Sequence, residues 1–180
     1  MPPLTKYFLG LPMPDALRAE VLDFRAECAW KGEEPHITLK APCGLDASER
    51  WLEPAQQICQ ASPPVNVQIH SVGNFGSSVL YLKVDSPGLV HLHKQLVSGL
   101  GISLADQSAC FEGLQYVPHL TLMQKQESGM PFEQLVQLAA ERFKPCSFTA
   151  TSLTVYKKTQ LETFYKGYQV LNMLGEKARF

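Results

Sequence analysis

The chain has 180 residues, 45% of them hydrophobic and 18% charged, with a formal net charge of −1. That is enough chain to bury one core, and too balanced a charge for a basic surface that wraps duplex nucleic acid. The opening MPPLTKYFLGLPMP has an apolar run too short for a membrane span and no signal-cleavage pattern, so a cytoplasmic protein is expected.

Taken in chain order, TKYFLGL predicts a strand closed by PMP. Asp15 to Ala29 carries helical apolar spacing at Leu17, Val21, Leu22 and Phe24, with Pro14 and Asp15 as its start. HITLKA alternates as a strand, Ser48 to Ala61 reads as a second helix, and PVNVQIHSV alternates again. NFGS turns the chain into the strand SVLYLKV, and Pro87 opens a helix running through Leu89, Leu92, Leu96 and Leu100. A loop from Gly101 to about Tyr116 leads to the strand PHLTLMQK, a helix from Pro131 to Phe143, the strand CSFTATSLTVY and a last strand, TFYKGYQVL.

The order strand, helix, strand, helix, strand occurs twice, over residues 4–72 and 78–156, with a final strand over 162–171. Two copies exclude a solenoid. They predict one α+β domain with a bilobal, pseudo-two-fold architecture: two antiparallel sheets flanked by helices around a central V-shaped cleft. Five cysteines, Cys28, Cys43, Cys59, Cys110 and Cys146, are odd in number and scattered, which reads as reduced thiols.

One pentapeptide recurs at matching places in the two copies. Pro35-His36-Ile37-Thr38-Leu39 returns as Pro118-His119-Leu120-Thr121-Leu122. Side chains alternate along a strand, so His36 and Thr38 share one face while Ile37 and Leu39 take the other. The same holds for His119 and Thr121 against Leu120 and Leu122. Facing copies would bring two imidazoles and two hydroxyls to one cleft. An imidazole titrates near neutral pH, so one ring can accept a proton from water while the other donates to a departing oxygen. Threonine hydroxyls can hold non-bridging phosphate oxygens in line. No metal or other cofactor is needed.

Two H-x-T-x motifs, each on a strand after an N-terminal strand and helix, resemble the two-histidine (2H) phosphoesterase superfamily. The nearest resemblance is to its branch of 2′-5′ RNA ligase-like proteins, also called RNA 2′,3′-cyclic phosphodiesterases. It runs nearly end to end, through KYFLGLPMP, the NFG at Asn74 to Gly76, and LTVYKKTQ with FYKGYQVL. The resemblance implies a bilobal fold with a V-shaped groove and opening of 2′,3′-cyclic phosphates at RNA or nucleotide ends, with 2′-5′ joining as the reverse reaction. It makes His36 and His119 the catalytic pair, with Thr38 and Thr121 as phosphate-holding hydroxyls. One departure is visible: FEGLQYV lacks the arginine that often precedes the second motif, which argues against a long, highly charged RNA.

Lys40 and Lys125 fall on the histidine faces and are candidates to neutralise a second phosphate. Tyr7, Phe8, Phe75, Tyr81, Tyr165 and Tyr168 are candidates to stack a base, with the family pattern pointing to Phe8 and Tyr168. His91 and His93 stand two apart on a helix and do not make a metal site; His70 is expected to face solvent. The expected function is a metal-independent cyclic phosphodiesterase, acting as a monomer on a small cyclic phosphoester or an RNA terminus, with no duplex DNA or membrane partner. The alternative is a module that binds nucleotides or RNA ends in the same groove without turnover.

Overall fold

The computed structural model describes residues 4–124 and 129–175. Five α-helices and eight strands alternate along these residues. They are β1 (Lys6–Pro12), α1 (Asp15–Glu27), β2 (His36–Lys40), α2 (Leu52–Ala61), β3 (Val65–Phe75), β4 (Val79–Asp85), α3 (Pro87–Gly99), α4 (Leu104–Ala109), β5 (His119–Gln124), α5 (Phe132–Arg142), β6 (Cys146–Ala150), β7 (Ser152–Lys158) and β8 (Lys166–Asn172). Local chemistry sets several boundaries. α3 starts where the Ser86 hydroxyl accepts the Leu89 N–H, with Pro87 supplying a fixed φ in the first turn. The helix expected from Ser48 begins only at Leu52, because Glu49 has a φ of 56° and turns the chain. The long expected loop after Gly101 holds α4, capped by Ser103, and a 3-10 turn at Gly113–Gln115.

All eight strands join in one antiparallel sheet, in the order β6-β3-β4-β5-β2-β1-β7-β8. This corrects the expectation of two separate sheets. The two histidine strands are neighbours at its centre, linked by a single residue pair, Ile37 with Leu120. The expected strand CSFTATSLTVY is two strands: β6 pairs with β3 at one edge, and β7 pairs with β1 in the other half.

One face of the sheet is covered by helices. Ile37, Leu39, Leu120 and Leu122 are fully buried in the same cluster as Val21 and Phe24 of α1, Ala55 and Cys59 of α2, Leu89, Leu92 and Leu96 of α3, and Leu135 and Ala139 of α5. Burying such side chains contributes roughly 1.5–3 kcal/mol each, and it fixes which face each histidine strand turns outward. Among the described residues no helix is long and apolar enough to cross a membrane.

Candidate active site

The central pairing of Ile37 with Leu120 runs antiparallel, so the flanking positions set His36 against Thr121 and Thr38 against His119. All four side chains line one hollow of about 500 Å³ on the uncovered face. A second hollow of about 540 Å³ adjoins it and shares Thr38, Ala41 and His119.

Both imidazoles are held in the same way. His36 Nδ1 lies 2.6 Å from the Glu34 carbonyl oxygen, and His119 Nδ1 lies 2.7 Å from that of Val117, in each case two residues upstream. A carbonyl can only accept, so each neutral ring carries its proton on Nδ1 and keeps Nε2 as a base. His36 Nε2 stands 3.2 Å from the Thr38 hydroxyl. Burial lowers the pKa of both rings, opposed in each by the carbonyl at Nδ1; His36 is driven down to about 4, helped by the Arg25 and His119 charges.

Each ring also has an aromatic pair beside it. Phe8 and Tyr156 are stacked at 4.6 Å and flank His36 at 4.6 and 5.6 Å. Phe75 and Tyr81 are stacked at 4.3 Å and flank His119 at 5.1 and 5.3 Å. Gly10 makes room for the first group: a Cβ there would come within 2.9 Å of the Phe8 ring and 3.3 Å of His36 Cδ2.

Because β2 and β5 part on either side of one residue pair, carbonyls of both motifs need other donors. Tyr116 donates its hydroxyl to the Thr38 oxygen at 2.8 Å, and His93 Nδ1 donates to the Leu39 oxygen at 2.6 Å. Across the junction, Arg25 donates from Nη2 to the Thr121 oxygen and from Nε to the Leu122 oxygen, both at 2.8 Å, and from Nη1 to the Glu33 oxygen at 2.6 Å. His93 is wholly buried, stacks on Tyr116 at 3.8 Å and accepts the Gly113 N–H at Nε2. It is a bolt between α3 and β2 rather than an ordinary helix residue.

Two expected binding residues are elsewhere. Lys40 is 0% exposed, with its ammonium bonded to Ala41 and Cys43 carbonyls and paired with the Glu112 carboxylate at 2.9 Å. The cause is a bulge: Gly10 pairs with Thr38 and Leu9 with Lys40, so Leu39 is an extra residue and Lys40 turns to the core side. Tyr168 is likewise the extra residue between Gly167 and Gln169 opposite β7. Its hydroxyl donates to Glu49, and Lys157 sits 4.3 Å over its ring, beside buried Tyr7. Lys125 lies outside the described residues. Phe8 and Tyr165 do line the first hollow, together with Arg25, Trp30, Lys31 and Phe164, and Phe75 lines the second.

The expectation of reduced thiols is corrected in part. Cys43 and Cys110 form a disulfide across 67 residues, while Cys28, Cys59 and Cys146 are free. Their pairing depends on the fold bringing the segment after β2 against the end of α4, which spacing along the chain does not reveal. Among the described residues no three His, Cys, Asp or Glu side chains gather as a metal site.

A family model described as the 2′-5′ RNA ligase superfamily matches residues 13–161. No curated protein matches the sequence. Among solved structures, TT0787 of Thermus thermophilus is similar with a TM-score of 0.68 at 15% identity, covering 96% of this chain and 100% of that one. E. coli LigT complexed with 3′-AMP aligns with a TM-score of 0.59 at 17% identity, covering 95% and 98%. E. coli LigT complexed with NADP+ gives 0.57 at 18% identity, again covering 95% and 98%.

Proposed function

Since the chain belongs to the 2′-5′ RNA ligase superfamily of two-histidine phosphoesterases, we propose that it hydrolyses a 2′,3′-cyclic phosphate on a nucleotide or RNA end, without a metal. The observation that carries this reading is the matched pair of imidazoles, each tied through Nδ1 to a carbonyl two residues upstream and each lining one hollow with a threonine hydroxyl. Nucleotide-sized ligands in LigT, 3′-AMP and NADP+, support a similar occupant here.

In this reading the phosphate lies between the rings and accepts hydrogen bonds from the hydroxyls of Thr38 and Thr121. Its negative charge raises the pKa of both imidazoles above their values in the empty site. His36, the ring driven furthest down, stays neutral and takes a proton from water at Nε2. The water oxygen bonds to phosphorus as the bond to the ring ester oxygen breaks. That oxygen takes the proton on His119 Nε2 and leaves as a hydroxyl. The product is a phosphomonoester, and the two rings end with their protonation exchanged, to be reset by solvent. With an RNA hydroxyl in place of water, the same ring opening joins two ends, the attacking oxygen bonding to phosphorus as the ring ester oxygen leaves.

Purified protein incubated with 2′,3′-cyclic AMP should yield a phosphomonoester, resolved by chromatography. His36→Ala and His119→Ala should each cut turnover by roughly 10²–10⁴-fold, the usual scale for a general acid or base. Full activity in either variant refutes the assignment, and substrate returned unchanged by the wild-type protein favours a binding module.

A further inference from the structure

The two hollows that meet at Thr38 and His119 differ in charge. The one beside His36 is lined by Arg25, Lys31 and Glu33. The one beside His119 has a single charged lining residue, Glu112, among the described residues. That carboxylate is already neutralised: it is 4% exposed, takes Lys40 Nζ on both oxygens and accepts the Ala41 N–H at 2.7 Å. Apart from His119, which serves the reacting phosphate, no cation remains on that wall among the described residues for a second phosphate. Its surfaces are instead rings and apolar groups. Phe75 is 41% exposed and meets His119 edge-on, Phe111 is 74% exposed, and Val117 is 52% exposed at the rim. The volume of about 540 Å³ falls in the range of small-molecule sites, ~300–1,000 Å³.

Resting on the phosphodiesterase reading above, we propose that the hollow beside His119 receives the flat, uncharged half of the substrate, a ring of nucleobase size, with Phe75 and Phe111 as its stacking surfaces. The preferred substrate is then the cyclic phosphodiester of a single nucleoside, not the end of a polyanionic strand. Continuity with the phosphate position argues for this occupant, because Thr38 and His119 border both hollows. Charge argues for it as well. A strand continuing along this wall would bring phosphates into an apolar enclosure without a counterion, where an anion is costly. A base loses little by leaving water for a ring face, and stacking on an aromatic side chain tolerates any base.

The test compares kcat/KM for three probes: 2′,3′-cyclic AMP, an oligoadenylate ending in a 2′,3′-cyclic phosphate, and glycerol 1,2-cyclic phosphate, which has no base. The wild-type protein should favour cyclic AMP over the oligonucleotide, with little dependence on salt. Phe75→Ala and Phe111→Ala should each lower the ratio of cyclic AMP to glycerol cyclic phosphate by about tenfold, the scale of one lost stacking contact. A preferred oligonucleotide with activity falling steeply in salt overturns the proposal, as does a ratio that neither variant moves. Should no cyclic phosphate be opened at all, the enzymatic reading fails separately. Calorimetric affinities for adenosine 2′-monophosphate and inorganic phosphate then decide, since equal affinity for the two, unaltered by Phe111→Ala, removes the base site.

Discussion

A histidine that must carry a proton at one instant and release it at the next needs a fixed orientation. Here one bond per ring provides it, from Nδ1 to the carbonyl of Glu34 or Val117. The same burial that orients the rings keeps them neutral when the cleft is empty, with His36 near 4 and His119 also below its ordinary value. A pH profile follows. In kcat/KM, which reports the free enzyme, the acid limb reflects protonation of the ring that must accept, and the basic limb reflects loss of the proton from the ring that must donate. Both groups are lowered, so the optimum for kcat/KM should lie on the acid side of the unperturbed histidine value of about 6.5. Bound phosphate raises both groups, so the optimum for kcat should move to higher pH. Initial rates across pH 4 to 9 at low and saturating substrate measure both, and coincident optima near pH 8 would contradict this electrostatic picture. Stability follows the same sign: folded pKa values below the unfolded ones mean full stability above about 6.5, lost as pH falls towards 4. The pairing of His36 with Thr38 and of His119 with Thr121 was legible in the pentapeptide because strand alternation is a local rule. The carbonyls that orient the rings and the stacked partner Tyr156 were not, since they depend on loop geometry and on a strand more than a hundred residues away.

Strands β2 and β5 open the cleft by failing to pair. They share one residue pair and then part, and side chains from other elements take over the carbonyls that a continuous ladder would have satisfied. Both strands also carry a bulge at the same place: Leu39 opposite β1, and Leu122 opposite β4, where Leu80 pairs with Met123 and Tyr81 with Thr121. Alternation counted along the sequence is right up to each bulge and wrong after it, which is why Lys40 was expected at the cleft and lies in the core. Tyr168 was misplaced by the same mechanism on β8. No residue type marks these bulges in the sequence; they follow from the fit of neighbouring strands. Arg25 is the clearest case of a residue whose role arises at this scale. Its helix spacing gives no hint of it, yet its guanidinium ties α1 to the carbonyls of Glu33, Thr121 and Leu122 and is buried enough to lower its own pKa to about 10. Arg25→Met keeps most of the volume and removes all three bonds. Each buried group left without a partner costs about 1–3 kcal/mol, so the urea midpoint should fall substantially and turnover with it. Arg25→Lys should restore little, because one ammonium cannot reproduce a planar fork. Wild-type stability in the methionine variant would show that the three carbonyls find other donors.

At the scale of the whole molecule, strands are exchanged between the two halves of the chain. β3 leaves the first half to lie between β4 and β6, and β7 leaves the second to lie beside β1. Element order therefore predicted the strands and helices apart from α4 and the division of β6 from β7, while the partition into separate sheets depended on long-range pairing that order alone does not carry. The segment from α4 to β5 follows the same logic. Glu112, Gly113 and Tyr116 fasten it to β2 and α3, and the Cys43–Cys110 disulfide closes the same wall covalently. A count of five scattered cysteines could not reveal that bond, since the partners lie 67 residues apart and meet only in the folded chain. Closing a loop of that length removes unfolded-state entropy equivalent to about 4 kcal/mol in the chain-entropy estimate. Cys43→Ser should therefore lower the free energy of unfolding by up to about that amount, measured as a shift in the urea midpoint under non-reducing conditions. Dithiothreitol should produce a comparable shift in the wild-type protein and none in the variant. Cys28→Ser, which removes a free buried thiol, controls for the loss of a sulfur atom and should leave the response to dithiothreitol intact. If reductant leaves the wild-type midpoint where it was, the bond does not hold this wall in solution, and the contacts of Glu112, His93 and Tyr116 with β2 suffice to keep the hollow beside His119 in shape.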